Sequence, residues 1–120
     1  MHKYRSLVAW QRAHEAMLLA LRTSDAAFHP RSKALFDQLR RAVISVEANI
    51  VEGYALSTPL QFRRHLRIAM GSAAEAESLT RAAGELGYLR DHVVRQLETL
   101  LERTMAALRG LLRQPIRTAT

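Results

Sequence analysis

The sequence has no cysteine, only three prolines and five glycines, and an aromatic content of 6% in its 120 residues. Without cysteine the chain cannot form a disulfide scaffold or a thiolate zinc site, and thiol catalysis is excluded. So few prolines and glycines leave too few turns for an architecture of many short strands. No run approaches the ~18 apolar residues of a membrane span, and no signal-peptide pattern opens the chain. We therefore expect an all-helical, soluble, cytoplasmic protein without a membrane role.

The apolar content of 48% is enough for a hydrophobic core, and the length fits one domain over residues 1–120, with short flexible ends at about 1–5 and 115–120. Turn signals at His29-Pro30, Thr58-Pro59 and Gly87 divide the chain into four amphipathic segments. Helices are predicted at about 6–27, 32–54, 59–86 and 90–113. Segments of similar length joined by short loops are typical of an antiparallel up-down-up-down four-helix bundle.

Helical spacing also predicts which faces are buried. In the first helix, larger side chains recur at spacings of three and four residues and are expected to face the core. The second and third helices carry additional apolar residues away from their inward faces. Because monomers seldom expose such patches, we expect an oligomer interface there, although two wide faces covered within the monomer would give the same pattern. The predicted core face is Leu7, Trp10, His14, Met17, Leu18 and Leu21, and the predicted interface is Ile44, Ala48, Val51, Ile68 and Leu79.

Basic residues exceed acidic ones by 18 to 11, which gives a formal net charge of +7, and sixteen of the basic residues are arginine. Arginine presents a planar fork of donors suited to phosphate and carboxylate, so this excess favours nucleic acid or an acidic protein as partner. A GC-rich genome would produce the same bias without any function. The predicted nucleic-acid-binding residues are Arg40, Arg41, Arg63, Arg64, Arg67, Arg81, Arg109 and Arg113.

Polar residues form a line along the second helix, and two polar residues of the third helix are possible partners for them. We therefore expect a structural hydrogen-bond network between the two helices. Its predicted members are Ser45, Asn49, Glu52, Ser72 and Glu75. A metal site is the alternative, but the Glu-x-x-His motif of carboxylate bundles is absent from the sequence. Motifs of hydrolases and of phosphate-binding loops are absent too. We therefore expect neither metal nor cofactor, no catalytic residues, and no enzymatic activity.

Three stretches of the sequence resemble one known family. They are Leu-Val-Ala-Trp-Gln-Arg-Ala-His-Glu at 7–15, the segment 38–54 that ends in Ala-Asn-Ile-Val-Glu-Gly-Tyr, and the segment 62–77 that contains Gly-Ser-Ala-Ala-Glu; Leu-Gly-Tyr-Leu at 86–89 is a fourth. Together they are similar to the bacterial four-helix-bundle family of 23S rRNA intervening-sequence proteins, over about residues 5 to 110. The residues that match the family's signature are Asn49, Glu52, Gly53, Tyr54, Gly71, Ser72 and Glu75, whereas Glu47 departs from it.

The resemblance implies an antiparallel bundle that assembles as a homopentamer, and a relation to the accessory variability protein of diversity-generating retroelements. It assigns no catalytic role to any residue. Two functional hypotheses follow from charge and resemblance together. The first is a non-enzymatic oligomer that binds structured, rRNA-associated RNA through arginine-rich outer surfaces. The second is an assembly or adaptor protein that binds an acidic protein partner and has no direct role with nucleic acid.

Overall fold

The computed structural model describes residues 3–56 and 58–115, and most of these residues lie in four long helices. They are α1 (Val8–Ala26), α2 (Lys33–Ala55), α3 (Pro59–Glu85) and α4 (Asp91–Arg113), and single 3-10 turns precede α1 and α2. The described residues contain no strand, so the predicted all-α four-helix bundle is confirmed. No helix in the described ranges is long and apolar enough to cross a membrane. Of the predicted flexible ends, residues 1–2 and 116–120 lie outside the described part of the chain, whereas Lys3–Ser6 forms a 3-10 turn.

Each helix packs against its neighbours along the chain, and α4 closes the ring by packing against α1. Side-chain contacts show the relative direction of α1 and α2. Arg40 in the first half of α2 bonds Asp25 at the end of α1, and Glu47 further along α2 bonds His14 earlier in α1. This order is antiparallel, as the short connections require.

Two predicted helix boundaries have visible causes. The Thr58 side chain accepts a hydrogen bond from a backbone N–H of the first turn of α3, and Pro59 occupies the first helical position, where it has no N–H to leave unpaired. At the other end, Gly87 has φ +75°, and the N–H of Tyr88 reaches the carbonyl of Ala83 at 2.8 Å. This left-handed glycine cap ends α3 and turns the chain into α4.

The core face of α1 differs from the sequence-based prediction. Its fully buried residues are small, at Ala9, Ala13, Ala16, Ala20 and Ser24. The larger side chains that were predicted to face the core flank this stripe and are half-buried instead. The prediction is correct for Leu7, Trp10 and Met17, which pack against the core from its edges. It missed the fully buried alanines, because spacing weighted by side-chain size favours large residues. The buried residues of the other three helices include Leu39 and Ile50 on α2, Leu66 and Ala73 on α3, and Leu97, Leu101, Thr104 and Leu108 on α4.

Candidate nucleic-acid interface

Five arginines gather where α3 begins and α4 ends. The guanidinium of Arg63 donates from Nη1 to the carbonyl oxygens of Leu112, at 2.7 Å, and Gln114, at 3.0 Å. These bonds hold the first turns of α3 beside the last turn of α4, where the last carbonyls of α4 lack intrahelical donors. We call the resulting surface the basic end; it consists of Arg63, Arg64, Arg67, Arg109 and Arg113.

The basic end carries a concentrated positive charge. In the described part of the chain, none of its five arginines lies within ion-pairing distance of a carboxylate. The bonds from Arg63 go to carbonyl oxygens, which leave its charge uncompensated. All except Arg63 are also exposed. The arrangement can therefore offer several guanidinium groups to phosphates on one surface.

The other predicted nucleic-acid-binding arginines have partners within the protein. Arg40 bonds Ser24 and pairs with Asp25, which ties α2 to α1. Arg81 pairs with Glu98 at 3.3 Å and so links α3 to α4. Their charges are compensated locally, unlike those of the basic end. Arg41 donates a hydrogen bond of 3.1 Å to the side-chain oxygen of Gln38, which is neutral, so the charge of Arg41 is not compensated. It lies on α2, which is diagonally opposite α4 in the bundle.

The predicted polar network lies in the seam between α2 and α3. The hydroxyls of Ser45 and Ser72 are 2.8 Å apart, and the amide of Asn49 donates to the carbonyl of Ser45 at 2.8 Å. The amide oxygen of Asn49 also lies 2.9 Å from Nδ1 of His65, a residue that the sequence did not single out. The structure thus brings Ser45, Asn49 and Ser72 together and adds His65.

The two glutamates of the predicted network lie at its edges. Glu75 accepts a hydrogen bond of 2.7 Å from Gln38, which is a separate bridge between α3 and α2. Glu52 is exposed, and its carboxylate is 4.0 Å from Nδ1 of His65. The seam is therefore crossed at three levels by side-chain hydrogen bonds, and Glu52 contributes little to holding it closed.

Gly53 shows how closely α2 and α3 approach. A Cβ added at this position would lie 2.6 Å from Cβ of His65, so no larger residue fits without moving a helix. Gly71, the other glycine of the signature, is exposed in the middle of α3, and a Cβ there would meet nothing within 4 Å. Gly53 is therefore explained by the close packing of α2 against α3, whereas no contact within the bundle explains the glycine at position 71.

A second polar cluster, between α1 and α2, was missed by sequence reasoning. Oε1 of Glu47 accepts from Nε1 of Trp10 at 3.1 Å and lies 2.9 Å from Nδ1 of His14, while the two rings stack with centroids 4.7 Å apart. Oε2 of Glu47 is buried and has no hydrogen-bond partner in the described part of the chain. The four-residue spacing of Trp10 and His14 indicates that the two rings lie on one face of α1. It does not indicate that Glu47 on α2 is their hydrogen-bond partner.

The predicted interface residues divide by exposure. Ile44 and Ile68 are 46% and 44% exposed, which is high for isoleucine in a bundle. Ala48 and Val51 are half-buried, and Leu79 packs against the core. Exposed apolar surface is therefore present on both α2 and α3, but it is smaller than the sequence pattern predicted.

A groove of about 690 Å³ runs between the outer faces of α1 and α4. Spacing within each helix could not reveal it, because its walls come from the two ends of the sequence. Its lining residues are Glu15, Leu18, Leu19, Arg22, His92, Arg95, Gln96, Thr99, Leu100 and Arg103. Within the described ranges, no cluster of three or more His, Asp or Glu side chains is arranged to hold a metal ion.

The fold and these surfaces define the class of the protein, which is an all-α four-helix bundle with an arginine-rich exterior. The family model described as 23S rRNA-intervening sequence protein matches residues 5–110, and the chain belongs to that family. The family is not a known enzyme family. No curated protein matches the chain.

Proposed function

We propose that this protein is a non-enzymatic homo-oligomer that binds structured, rRNA-associated RNA at the basic end. The observation that carries the proposal is a set of five arginines from the start of α3 and the end of α4, none of which has a carboxylate partner among the described residues. Family membership supports rRNA as the class of nucleic acid, since the family is described by its rRNA intervening sequence.

The chemistry of the basic end favours phosphate contacts over base reading. Arg64, Arg67, Arg109 and Arg113 are exposed guanidinium groups, and in the described part of the chain none of them contacts an aromatic ring. Double-stranded RNA is bound mostly through its backbone and its shape. A folded RNA that presents several phosphates at once is therefore the ligand that this surface suits best.

Self-association would multiply the basic end. The exposed Ile44 and Ile68 supply apolar surface on α2 and α3 for contact between copies, and the family resemblance favours five of them. In a closed ring each basic end recurs by symmetry, so that one RNA contacts arginines of several subunits. Affinity then depends on assembly as well as on charge.

The RNA proposal is tested with two variants of equal charge. Arg64→Ala/Arg67→Ala removes two unpaired arginines, whereas Arg40→Ala/Arg81→Ala removes two arginines that are paired with Asp25 and Glu98. With a fluorescein-labelled hairpin of 23S rRNA, the first variant should lower affinity by roughly 10-fold or more at low salt and reduce the salt dependence of binding. The second should change affinity much less.

Equal losses from the two variants would show that binding follows net charge alone and would contradict the assignment to the basic end. Assembly is tested separately by light scattering on the wild type and on Ile44→Asp. We expect a mass of several subunits for the wild type and a smaller mass for the variant. A wild-type mass of one chain would contradict the oligomer.

A further inference from the structure

The groove between α1 and α4 has an apolar floor and a basic rim. Leu18 and Leu19 from α1 and Leu100 from α4 line it and are half-buried, whereas Arg22 and Arg95 stand exposed at its edges. Leucines therefore lie deeper than the charged groups. This layering resembles a surface that accepts an amphipathic helix, whose apolar side fills the floor while its polar flanks meet the rim.

The rim of the groove has cations without matching anions. In the described part of the chain, Arg22, Arg95 and Arg103 form neither an ion pair nor a side-chain hydrogen bond. The one carboxylate that lines the groove, Glu15, is engaged by Arg12 at 2.6 Å. An occupant with acidic flanks would thus supply charges that the groove lacks.

The spacing of the rim fits a helix. Arg95 and Arg103 are eight residues apart on α4, which places them ~12 Å apart along its axis at the rise of an α-helix. Carboxylates two turns apart on a helix lying along the groove meet both, while Arg22 approaches from the α1 side. An extended nucleic acid strand suits the site less well, because no Phe, Tyr or Trp is among the described residues that line it, and leucine gives bases no stacking surface.

We propose that the groove between α1 and α4 is a docking site for an acidic amphipathic helix of a protein partner, held by its leucine floor and by Arg22, Arg95 and Arg103. This site lies on a different face from the basic end and does not depend on RNA binding there. The protein would then join an RNA to a second protein.

The probe is a fluorescein-labelled synthetic helix with leucines at alternating three- and four-residue spacing and glutamates on both flanks. Its binding to the full-length protein is followed by fluorescence anisotropy, with a scrambled peptide of the same composition as control. We expect the amphipathic peptide to bind at least about tenfold more tightly than the scrambled one, because only the former presents both features on the correct faces.

Two charge-matched variants locate the binding. Arg22→Gln/Arg95→Gln/Arg103→Gln should weaken the peptide by about tenfold or more and leave the affinity for the rRNA hairpin within about twofold. Arg64→Gln/Arg67→Gln/Arg109→Gln should do the reverse. Leu18→Gln, confirmed as folded by circular dichroism, should also weaken the peptide, since it places an amide in the floor.

Several outcomes would overturn the proposal. One is equal affinity for the amphipathic and scrambled peptides, and another is an unchanged affinity in the groove variants. Loss of RNA binding in the groove triple variant would assign the groove to nucleic acid. A reduced mass of that variant in light scattering would assign it to a second copy of this chain.

Discussion

The α2–α3 seam and the α1–α4 seam are built differently, although both join antiparallel helices of one bundle. The first is bridged by the pairs Gln38–Glu75, Ser45–Ser72 and Asn49–His65. The second, over the described residues, has no side-chain hydrogen bond between its helices and opens outward into a groove lined by unpaired arginines. One seam is closed by specific contacts, and the other relies on its apolar interior.

The difference separates residues that hold the bundle together from residues that are available for binding. Asn49, Gly53, Ser72 and Glu75 belong to the stretches that carry the resemblance, and all four lie in the closed seam. They are explained by packing and by hydrogen bonding. Eight of the arginines that have no carboxylate partner in the described part of the chain lie at the basic end or along the α1–α4 groove, so stability and binding can be altered independently. The predictions below test that independence.

The largest effect is expected from Gly53→Ala in the closed seam. The new Cβ would lie 2.6 Å from Cβ of His65, and overpacking of this kind costs ~1–3 kcal/mol. Alanine's better helix propensity offsets about 1 kcal/mol of this cost, so we expect the free energy of unfolding to fall by up to about 2 kcal/mol. Urea unfolding followed by circular dichroism measures the change.

Gly71→Ala is the matched control, because the same methyl group there meets nothing within 4 Å. It should raise the free energy of unfolding by roughly 0.5–1 kcal/mol, since glycine is unfavourable inside a helix. If both alanines destabilise the protein alike, the close approach at Gly53 is not what distinguishes the two positions.

Asn49→Ala should have the next largest effect. It removes the bonds to Ser45 and His65 and leaves half-buried polar atoms without partners, which costs roughly 1–2 kcal/mol. Gln96→Ala, in the α1–α4 groove, removes no side-chain hydrogen bond to any residue that the structure describes and should stay within about 0.5 kcal/mol of the wild type. Equal losses in thermal or urea unfolding would remove the distinction between the seams.

Removing the arginines of the open seam should barely affect stability. Arg22→Gln/Arg95→Gln/Arg103→Gln takes away three cations that form no ion pair within the described ranges, from a chain whose net charge is +7. Because like charges repel, we expect the free energy of unfolding to stay within about 0.5 kcal/mol or to rise slightly. A marked loss, measured by urea unfolding, would mean that these side chains hold α1 to α4 after all.

The smallest effect is expected at an exposed pair on α2, outside both seams. The hydrogen bond from Lys33, 2.5 Å long, is the main reason why the pKa of Asp37 lies below its ordinary 3.8. The lowered pKa stabilises the fold above pH 3.8, and this contribution is lost as the pH falls through the folded-state pKa.

In Lys33→Met the pKa of Asp37 should therefore rise toward its ordinary value, as a carboxyl NMR titration would show. Lys33→Arg preserves the donor and should preserve the shift. An unchanged pKa in the methionine variant would assign the shift to Arg40 and Arg41 instead, whose charges also lower it.

Local signals predicted the helices well, because capping and turn chemistry act over a few residues. Thr58-Pro59 and Gly87 lie where α3 begins and ends, and each predicted boundary falls within about two residues of the observed one. The buried face of α1 was less predictable. The alanine stripe from Ala9 to Ala20 is a property of close packing against two other helices, and spacing weighted by side-chain size does not detect it.

The candidate sites depended on contacts between distant segments. Arg40 and Arg64 look alike in the sequence, yet Arg40 meets Asp25 while Arg64 meets no carboxylate in the described part of the chain. The difference arises from the register of α2 against α1. The α1–α4 groove escaped notice for the same reason, because neither helix shows it alone.

The position of Arg63 has a consequence for how an RNA would be held. Its guanidinium caps the last carbonyls of α4, so a phosphate that recruits Arg63 must compete with Leu112 and Gln114 for the same donors. Phosphate binding and the stability of the last turn of α4 would then be linked. If Arg63 bonds a phosphate, the last turn of α4 loses its hydrogen bonds from Arg63, and if Arg63 keeps those bonds, the RNA has one arginine fewer to contact. The end of α4 would thereby adjust the affinity of the basic end without any change in its charge.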